Sequence, residues 1–373
     1  MAECEVSTEK VGKILESKLG ELSKKASSPS FIFKAPRELR WVNESAFEPQ
    51  IISIGAYHHG KPHFEAMERE KLHYLDSIRQ QTEGLEHYIA AYMSIEQFVW
   101  DSYAEHDHKE RDKFGAIIVL DGLFVVQLFL KVMDPKLREE NDALFKQNLN
   151  LSIVAQDLLL LENQLPFRTE GSRKKSPVRK VKRRVPRLVI RSATELSERG
   201  IRFRKSFGSC LFNIQFERGI LFIPTLIVDH DTERMFRNLI AYEQFKHDIS
   251  IVMDYAKFLD CLINYADNVA LLCDCGVIEN RLGSNDDVAK MINKLNEYVY
   301  LCTENFYYSH IFNKVNKHYR RPVTLWKVKL RQKYFGTPWD WVLASISAAT
   351  LLLILSFLQT IFSALSYFNQ SAR

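Results

Sequence analysis

Apolar and polar positions divide this chain into helical runs, one short stretch of alternation and a long apolar tail. Residues 5–25 set Val11, Ile14, Leu15, Leu19 and Leu22 among charges at helical spacing, and SSPS at 27–30 reads as a linker. Phe31 to Tyr57, punctuated by Pro36 and Pro49, is expected to be extended or irregular. Helical periodicity starts near His63 in EAMEREKLHYLDSIRQ and resumes in LEHYIAAYMSIEQFVWDSYAEH. Phe114 to Met133 is almost continuously apolar, but Asp121, Gly122 and Gln127 interrupt it, so a central buried helix fits better than a bilayer span. Asp121 then requires a partner, because an unpaired buried charge is costly. Leu149 to Leu165 reads as a further buried helix stopped by Pro166, which disfavours helical geometry in the residue before it.

The period changes after residue 191. Ser192-Ala193-Thr194-Glu195 has capping-box spacing and should open a short helix. In LFNIQFERGILFIPTLIV, Leu211, Asn213, Gln215 and Glu217 alternate with Phe212, Ile214 and Phe216, with Gly219 at a turn and Pro224 at a strand end. Helices return from Asp231 to Tyr319, including a long apolar stretch from Ile249 to Cys275 that ends at Gly276, and a helix capped by Ser284 to Asp287. The fold class is therefore mainly α with a small antiparallel β meander at about 201–228. The expected organisation is a variable helical segment at 1–30, a helical domain at 31–335 and a single transmembrane helix at 339–368.

That last helix carries the plainest functional signal. From Trp341 to Phe368, 28 residues run without charge, Gly or Pro. About 20 suffice to cross a hydrocarbon core. Trp339 and Trp341 at one end and Tyr367 and Phe368 at the other suit interfacial aromatic belts. On its N-terminal side stand Arg320, Arg321, Lys327, Lys329, Arg331 and Lys333 against Asp340, whereas only Arg373 follows it. Basic flanks stay cytoplasmic, so the large domain is expected in the cytosol, with the exoplasmic orientation as the alternative. The first residues mix charges throughout and have no apolar signal-peptide core.

Charge adds one segment to the picture. The chain carries a net +5, yet residues 168–191 hold eleven Lys/Arg and one Glu, which leaves the remainder at −5. Within it, Arg173, Lys174, Lys175, Arg179, Lys180, Lys182, Arg183, Arg184 and Arg187 form a basic surface of nine in fifteen residues. Nuclear localisation, nucleic-acid binding and attraction to an anionic leaflet compete here with a simply solvated loop. No aromatic interleaves the run, so nucleic acid is not an expected partner, and the neighbouring anchor favours the leaflet. Ser176 before Pro177 is a candidate phosphosite that would lower the local charge. Six cysteines do not describe a disulfide framework, and Cys273-Asp274-Cys275 lacks zinc-site spacing, so free buried thiols in a reducing compartment are expected.

Two polar clusters are candidate sites. His58, His59 and His63 with Lys61 set three imidazoles and an amine around Gly60 and Pro62, a candidate for a metal or a phosphate, but no fourth ligand stands at workable spacing for zinc. A loop capping the following helix, with its His and Lys facing solvent, is the plainer reading. Glu162, Asn163 and Gln164 fall in the last turn of the helix ending at Pro166, where tying off open helix-end groups outweighs general-base chemistry. Glu243 in NLIAYEQF invites the same reading. No phosphate-loop, nucleophile-elbow, kinase or dinucleotide signature occurs.

The clusters and their order resemble the plant-specific DUF247 family, also labelled UPF0481. The resemblance lies in PRELRWVNESAFEPQIISIGAYHHGKPHFEAMEREKLHYL (36–75), LDG-F (120–124), QDLLLLENQLPF (156–167), SATELSERGIRFRK (192–205), FRNLIAYEQ (236–244), DCLINYADNVALL (260–272) and the apolar tail. One departure is Ala56, where the family more often has Pro. The resemblance implies a single-pass plant membrane protein with a mostly helical domain, no established catalytic activity and no cofactor. Some grass relatives are linked to self-incompatibility, which suggests recognition or signalling through protein contacts. Two further readings stay open. One is an enzyme, with hydrolysis as the candidate chemistry, using the His58/His59/Lys61 loop with Glu162 or Glu243. The other is homodimerisation through Ala344/Ala348 and Ser345/Ala349, small residues four apart on the anchor.

Overall fold

A computed structural model describes residues 11, 13, 15, 16, 19, 32–82, 84–105, 110–140, 142–146, 148–167, 189–208, 210–246, 250–300, 305–321 and 338–371. The basic run from Arg173 to Arg187, Ser176 and most of the N-terminal segment lie outside these residues; of that segment, residues 11, 13, 15, 16 and 19 are helical and exposed.

The elements of the first half are α1 (Arg37–Val42), α2 (Glu65–Gln81), α3 (Glu86–Ser102), α4 (Arg111–Met133), α5 (Ala143–Lys146) and α6 (Asn148–Asp157). The stretch 32–57, expected to be extended or irregular, contains α1 and a 3-10 turn at Glu44–Phe47. Pro36 explains the difference, since a proline just before a helix costs no hydrogen bond there. α2 and α3 both pack against α4. Helix α4 is not the centrally buried rod its sequence suggests. Phe114, Ile118, Asp121, Phe124 and Leu128 face inward, whereas Val126, Phe129, Leu130 and Met133 lie open.

Helix α6 ends at Asp157, well before the expected stop at Pro166. The reason is that the chain folds back on the helix end: Asn163 Nδ2 donates to Asp157 O at 2.9 Å, and Gln164 Nε2 donates to Leu158 O and Leu160 O at 2.6 and 2.8 Å. Side chains take the carbonyls that a continued helix would have used.

The second half comprises α7 (Ala193–Glu198), β1 (Arg202–Ser206), β2 (Gln215–Glu217), β3 (Ile220–Pro224), β4 (Leu226–Val228), α8 (Thr232–Phe245), α9 (Ile251–Leu262), α10 (Ala266–Asp274), β5 (Ile278–Asn280), α11 (Asn285–Lys294) and α12 (Ser309–Tyr319). The fold is mainly α with a small sheet, as the periodicity predicts, but the pairing differs from an antiparallel meander. β3 lies between β1 and β2, antiparallel to β2 and parallel to β1, while β4 pairs in parallel with β5 in a separate two-stranded ladder. The β2–β3 turn has Arg218 and Gly219 both at positive φ, 49° and 81°, the conformation that matches hairpin twist.

Local signals are realised closely. Ser192 and Glu195 form the reciprocal capping box of α7. The apolar run from Ile249 breaks into α9 and α10, because Asn268 Oδ1 captures the amides of Asn264 and Tyr265 and opens a second helix. Its end at Gly276 is a Schellman closure, with Gly276 N to Cys273 O and Val277 N to Leu272 O both at 2.9 Å. The core of this half runs from Ile190 to Val315 and centres on Tyr255, Phe258, Leu262 and Phe312. Three smaller clusters fill the first half, and Ala241 of α8 joins the one built on Phe33, Leu39, Phe47 and Leu161. Among the described cysteines all are free; Cys261 is buried, but Cys210 is exposed, contrary to the expectation of buried thiols.

A final helix, α13 (Pro338–Ser371), spans 34 residues, and none of its described side chains is buried. Its stretch Ser345–Ser363 is long and apolar enough to cross a membrane by length and composition. The backbone of this helix includes Trp339, Trp341, Tyr367 and Phe368, whose side chains lie outside the described set.

Candidate functional site

Residues 50–55 run through the interior of the first half, with Ile52, Ser53 and Ile54 almost wholly buried and, among the described residues, no strand paired with them. Buried backbone groups need partners. Here side chains supply them. Asp157 accepts from the amides of Gln50, Ile51 and Ile52 at 2.9–3.1 Å. Asn163 accepts from Ile54 N at 2.6 Å and donates to Ile52 O at 3.1 Å. Asp121 accepts from Gly55 N at 2.8 Å, and Lys71 donates to Ser53 O. Lys71 also meets Asp121 at 2.6 Å, which provides the partner that a buried carboxylate at this position needs. Gly55 sits at φ +76°, where a Cβ would fall 2.4 Å from the Tyr103 hydroxyl and 2.6 Å from Gln164 O, so only glycine fits.

The chain then enters the histidine loop. Gly60, at φ +82°, turns it in open space, and Pro62 begins the 3-10 turn Pro62–Phe64 that leads into α2. His59 faces solvent, 3.7 Å from Glu68, and Lys61 is partly exposed. His58 is the correction to a solvent-facing loop: only 3% of it is exposed. It lies between two carboxylates, with Nδ1 3.3 Å from Glu48 and Nε2 3.3 Å from Glu162. Lys61 Nζ approaches His58 Nδ1 at 3.1 Å and pairs with Glu48. Arg40 closes the group, bonding Glu162 and, at 3.2 Å, Glu48. Glu162 also accepts from Ala35 N at 2.7 Å. Burial alone would push the Glu162 carboxyl up, but His58, the Ala35 amide and Arg40 together hold it below its ordinary range. Glu48 is likewise held low, with Lys61 and His58 outweighing its burial.

Of the candidate residues, His58, Lys61 and Glu162 therefore meet, and Asn163 and Gln164 lie beside them. They belong to the turn after α6 rather than to its last helical turn. His59 and Glu243 do not join. Glu243 accepts from Val252 N and Met253 N at 3.0 and 2.9 Å, which caps α9 in the other half. Arg40, Glu48, Lys71, Asp157, Arg234 and Asn238 complete the network and were not singled out by sequence. Arg234 bonds Glu48 O at 2.6 Å and Asp157 at 2.8 Å. Asn238 donates to Ala46 O at 2.8 Å and accepts from Leu161 N at 2.9 Å. Their common signal was position: each falls in or just beside a motif stretch.

The arrangement suits holding backbone rather than transferring protons. Both oxygens of Glu162 and both of Asp157 are already engaged by charged or amide donors. Among the described residues no group of three or more His, Cys, Asp or Glu is placed to hold a metal ion. Next to the network, an apolar groove of about 410 Å³ lies between the turn after α6 and the outer face of α8, lined by Leu159, Leu165, Phe167, Leu239 and Tyr242 with Lys246. No acid or histidine lines it.

The motif stretches that converge on this network also carry the likeness to known proteins. The UPF0481 protein At3g47200 of Arabidopsis thaliana is 26% identical over 91% of this chain and 87% of its own length. The putative UPF0481 protein At3g02645 of the same plant is 30% identical over 46% of this chain and 33% of its own length. No solved structure matches the chain. The model of the DUF247 family, described as plant proteins of unknown function, matches residues 32–169 and 168–355, and the chain belongs to that family.

Proposed function

We propose that this protein is a membrane-anchored, non-enzymatic recognition or signalling protein, with its large domain on the cytosolic side and a protein as its partner. The observation that carries the reading is α13: 34 residues of helix, apolar through its middle, with no described side chain packed on the domain. Exposed in water, such a surface would be strongly unfavourable, at roughly 25 cal/mol per Å² of apolar area. A bilayer removes that cost. The polar network supports the non-enzymatic part, because its carboxylates already hold backbone amides and cations and have little basicity to offer.

The enzymatic alternative has the meeting of His58, Lys61 and Glu162 in its favour. It would require Glu162 to give up Arg40 and the Ala35 amide before it could accept a proton.

The anchor is tested by expressing the full chain and a chain ending at residue 335, then washing membranes at alkaline pH. The full chain should stay in the pellet and the shorter one should leave it; a full chain washed into the supernatant overturns the reading. Protease added outside sealed microsomes should digest the large domain if it is cytosolic, and a protected domain reverses the topology.

A further inference from the structure

Helix α4 presents two apolar faces, and the domain uses one. Phe114, Ile118, Asp121, Phe124, Leu128 and Lys131 are buried. With 3.6 residues per turn, Leu123, Val126, Leu130 and Met133 share the opposite stripe, while Val119, a turn earlier, still packs on the core. Val126, Phe129, Leu130 and Met133 are 57%, 55%, 43% and 82% exposed. A surface helix ordinarily places charges there. Between Val119 and Met133 the only charged residues are Asp121 and Lys131, and both are buried, paired with Lys71 and Asp142 at 2.6 and 2.8 Å. From Leu123 to Met133 the outward stripe thus carries no charge for about three turns. Gly122 adds to the same face, since a Cβ on it would meet nothing within 4 Å.

By length and composition α4 is, like Ser345–Ser363, long and apolar enough to cross a membrane. It does not cross a membrane as that helix would, because its inner face holds two buried ion pairs and the core of the first half. A helix with one face committed to a domain and the other apolar lies on a bilayer, not through it.

We infer that the outer stripe of α4 docks the domain flat on the membrane that holds α13, an inference that rests on the anchor proposed above. The covalent link makes the bilayer the permanent neighbour of this face. Whatever path it takes, the chain from Arg321 to Pro338 spans at most about 60 Å. A domain of this size has a radius of gyration of about 20 Å, so every side of it is within reach of the bilayer. The segment Asp134 to Glu140 beside the stripe mixes Lys136 and Arg138 with Asp134, Glu139 and Glu140, so docking depends on apolar contact rather than on anionic lipid.

The test uses the full chain in nanodiscs of neutral phosphatidylcholine at one copy per disc, exposed to hydrogen peroxide, with methionine sulfoxide read by mass spectrometry. Met133 is twice as exposed as Met235 on α8, at 82% against 40%, and would oxidise faster on a free domain. Docking predicts the reverse order, with Met133 oxidised several-fold more slowly. The exposed pair Val126→Glu and Leu130→Glu should restore its reactivity and leave α13 inserted. Met133 oxidised as fast as Met235 in an inserted chain overturns the inference alone. Protection that persists in the glutamate pair, or that appears only at several copies per disc, also overturns it; the latter assigns the face to a second copy of the chain. A chain that never enters the disc overturns the anchor, and this inference with it.

Discussion

A buried carboxylate destabilises a fold unless its oxygens are used, and Asp157 spends its two on three amides and the Arg234 guanidinium. Changing it to Asn puts an N–H2 where donors already point. Asp157→Asn should cost about 3–5 kcal/mol, the usual consequence of breaking a buried charged set from one side. The urea midpoint at neutral pH measures it. Gly122 makes the opposite case. It is helical and faces open space, so Gly122→Ala should leave stability unchanged or raise it by about 1 kcal/mol in the same experiment. Both residues stand within quoted motifs, yet only the first is required by the fold.

Among the elements, α9 carries a pH dependence of its own. Asp254 is wholly buried in its first turn, and burial pushes its carboxyl up to about 7 although the Tyr307 amide donates to it at 2.6 Å. A carboxyl whose folded value is raised binds its proton more tightly in the native state. Its contribution is full below the unfolded value near 4 and is lost as pH rises toward 7. Thermal unfolding should therefore show stability falling across that window by on the order of 4 kcal/mol from this group, and Asp254→Asn should remove the slope. The same elements show what a sequence makes legible. The capping box at Ser192, the Schellman end at Gly276 and the turn at Gly219 involve residues within a few positions, so their chemistry is written locally. The end of α6 is not, because Pro166 sets only the latest stop, whereas Asn163 and Gln164 choose the real one by folding back. The parallel pairing of β1 with β3 depends on where the chain crosses, which alternation does not encode. Asp121 required a partner on its face; that the partner is Lys71, fifty residues earlier, required the structure. The burial of His58 is hidden from the sequence for the same reason, since Glu162 and Arg40 reach it only after folding.

At the scale of the whole molecule, α8 ties the two halves together. Arg234 and Asn238 reach Glu48, Ala46, Asp157 and Leu161 of the first half, while Phe236 and Ile240 pack into the core of the second. The pair Arg234→Met and Asn238→Leu should uncouple the halves. Calorimetry of the variant should then give a van 't Hoff enthalpy below the calorimetric one, where the parent shows a single transition.

The buried segment at 50–55 has one further consequence, in time rather than space. Its backbone partners Asp157 and Asn163 lie 105 to 111 residues downstream. At about 5–20 residues per second on a ribosome, Gln50, Ile51, Ile52 and Ile54 wait roughly 5–20 s for them. Through that interval an apolar, β-prone stretch with open amides is offered to any strand edge nearby. The nascent chain should accordingly be a client of chaperones during this interval, and a stall engineered just before Asp157 should lengthen its time on them.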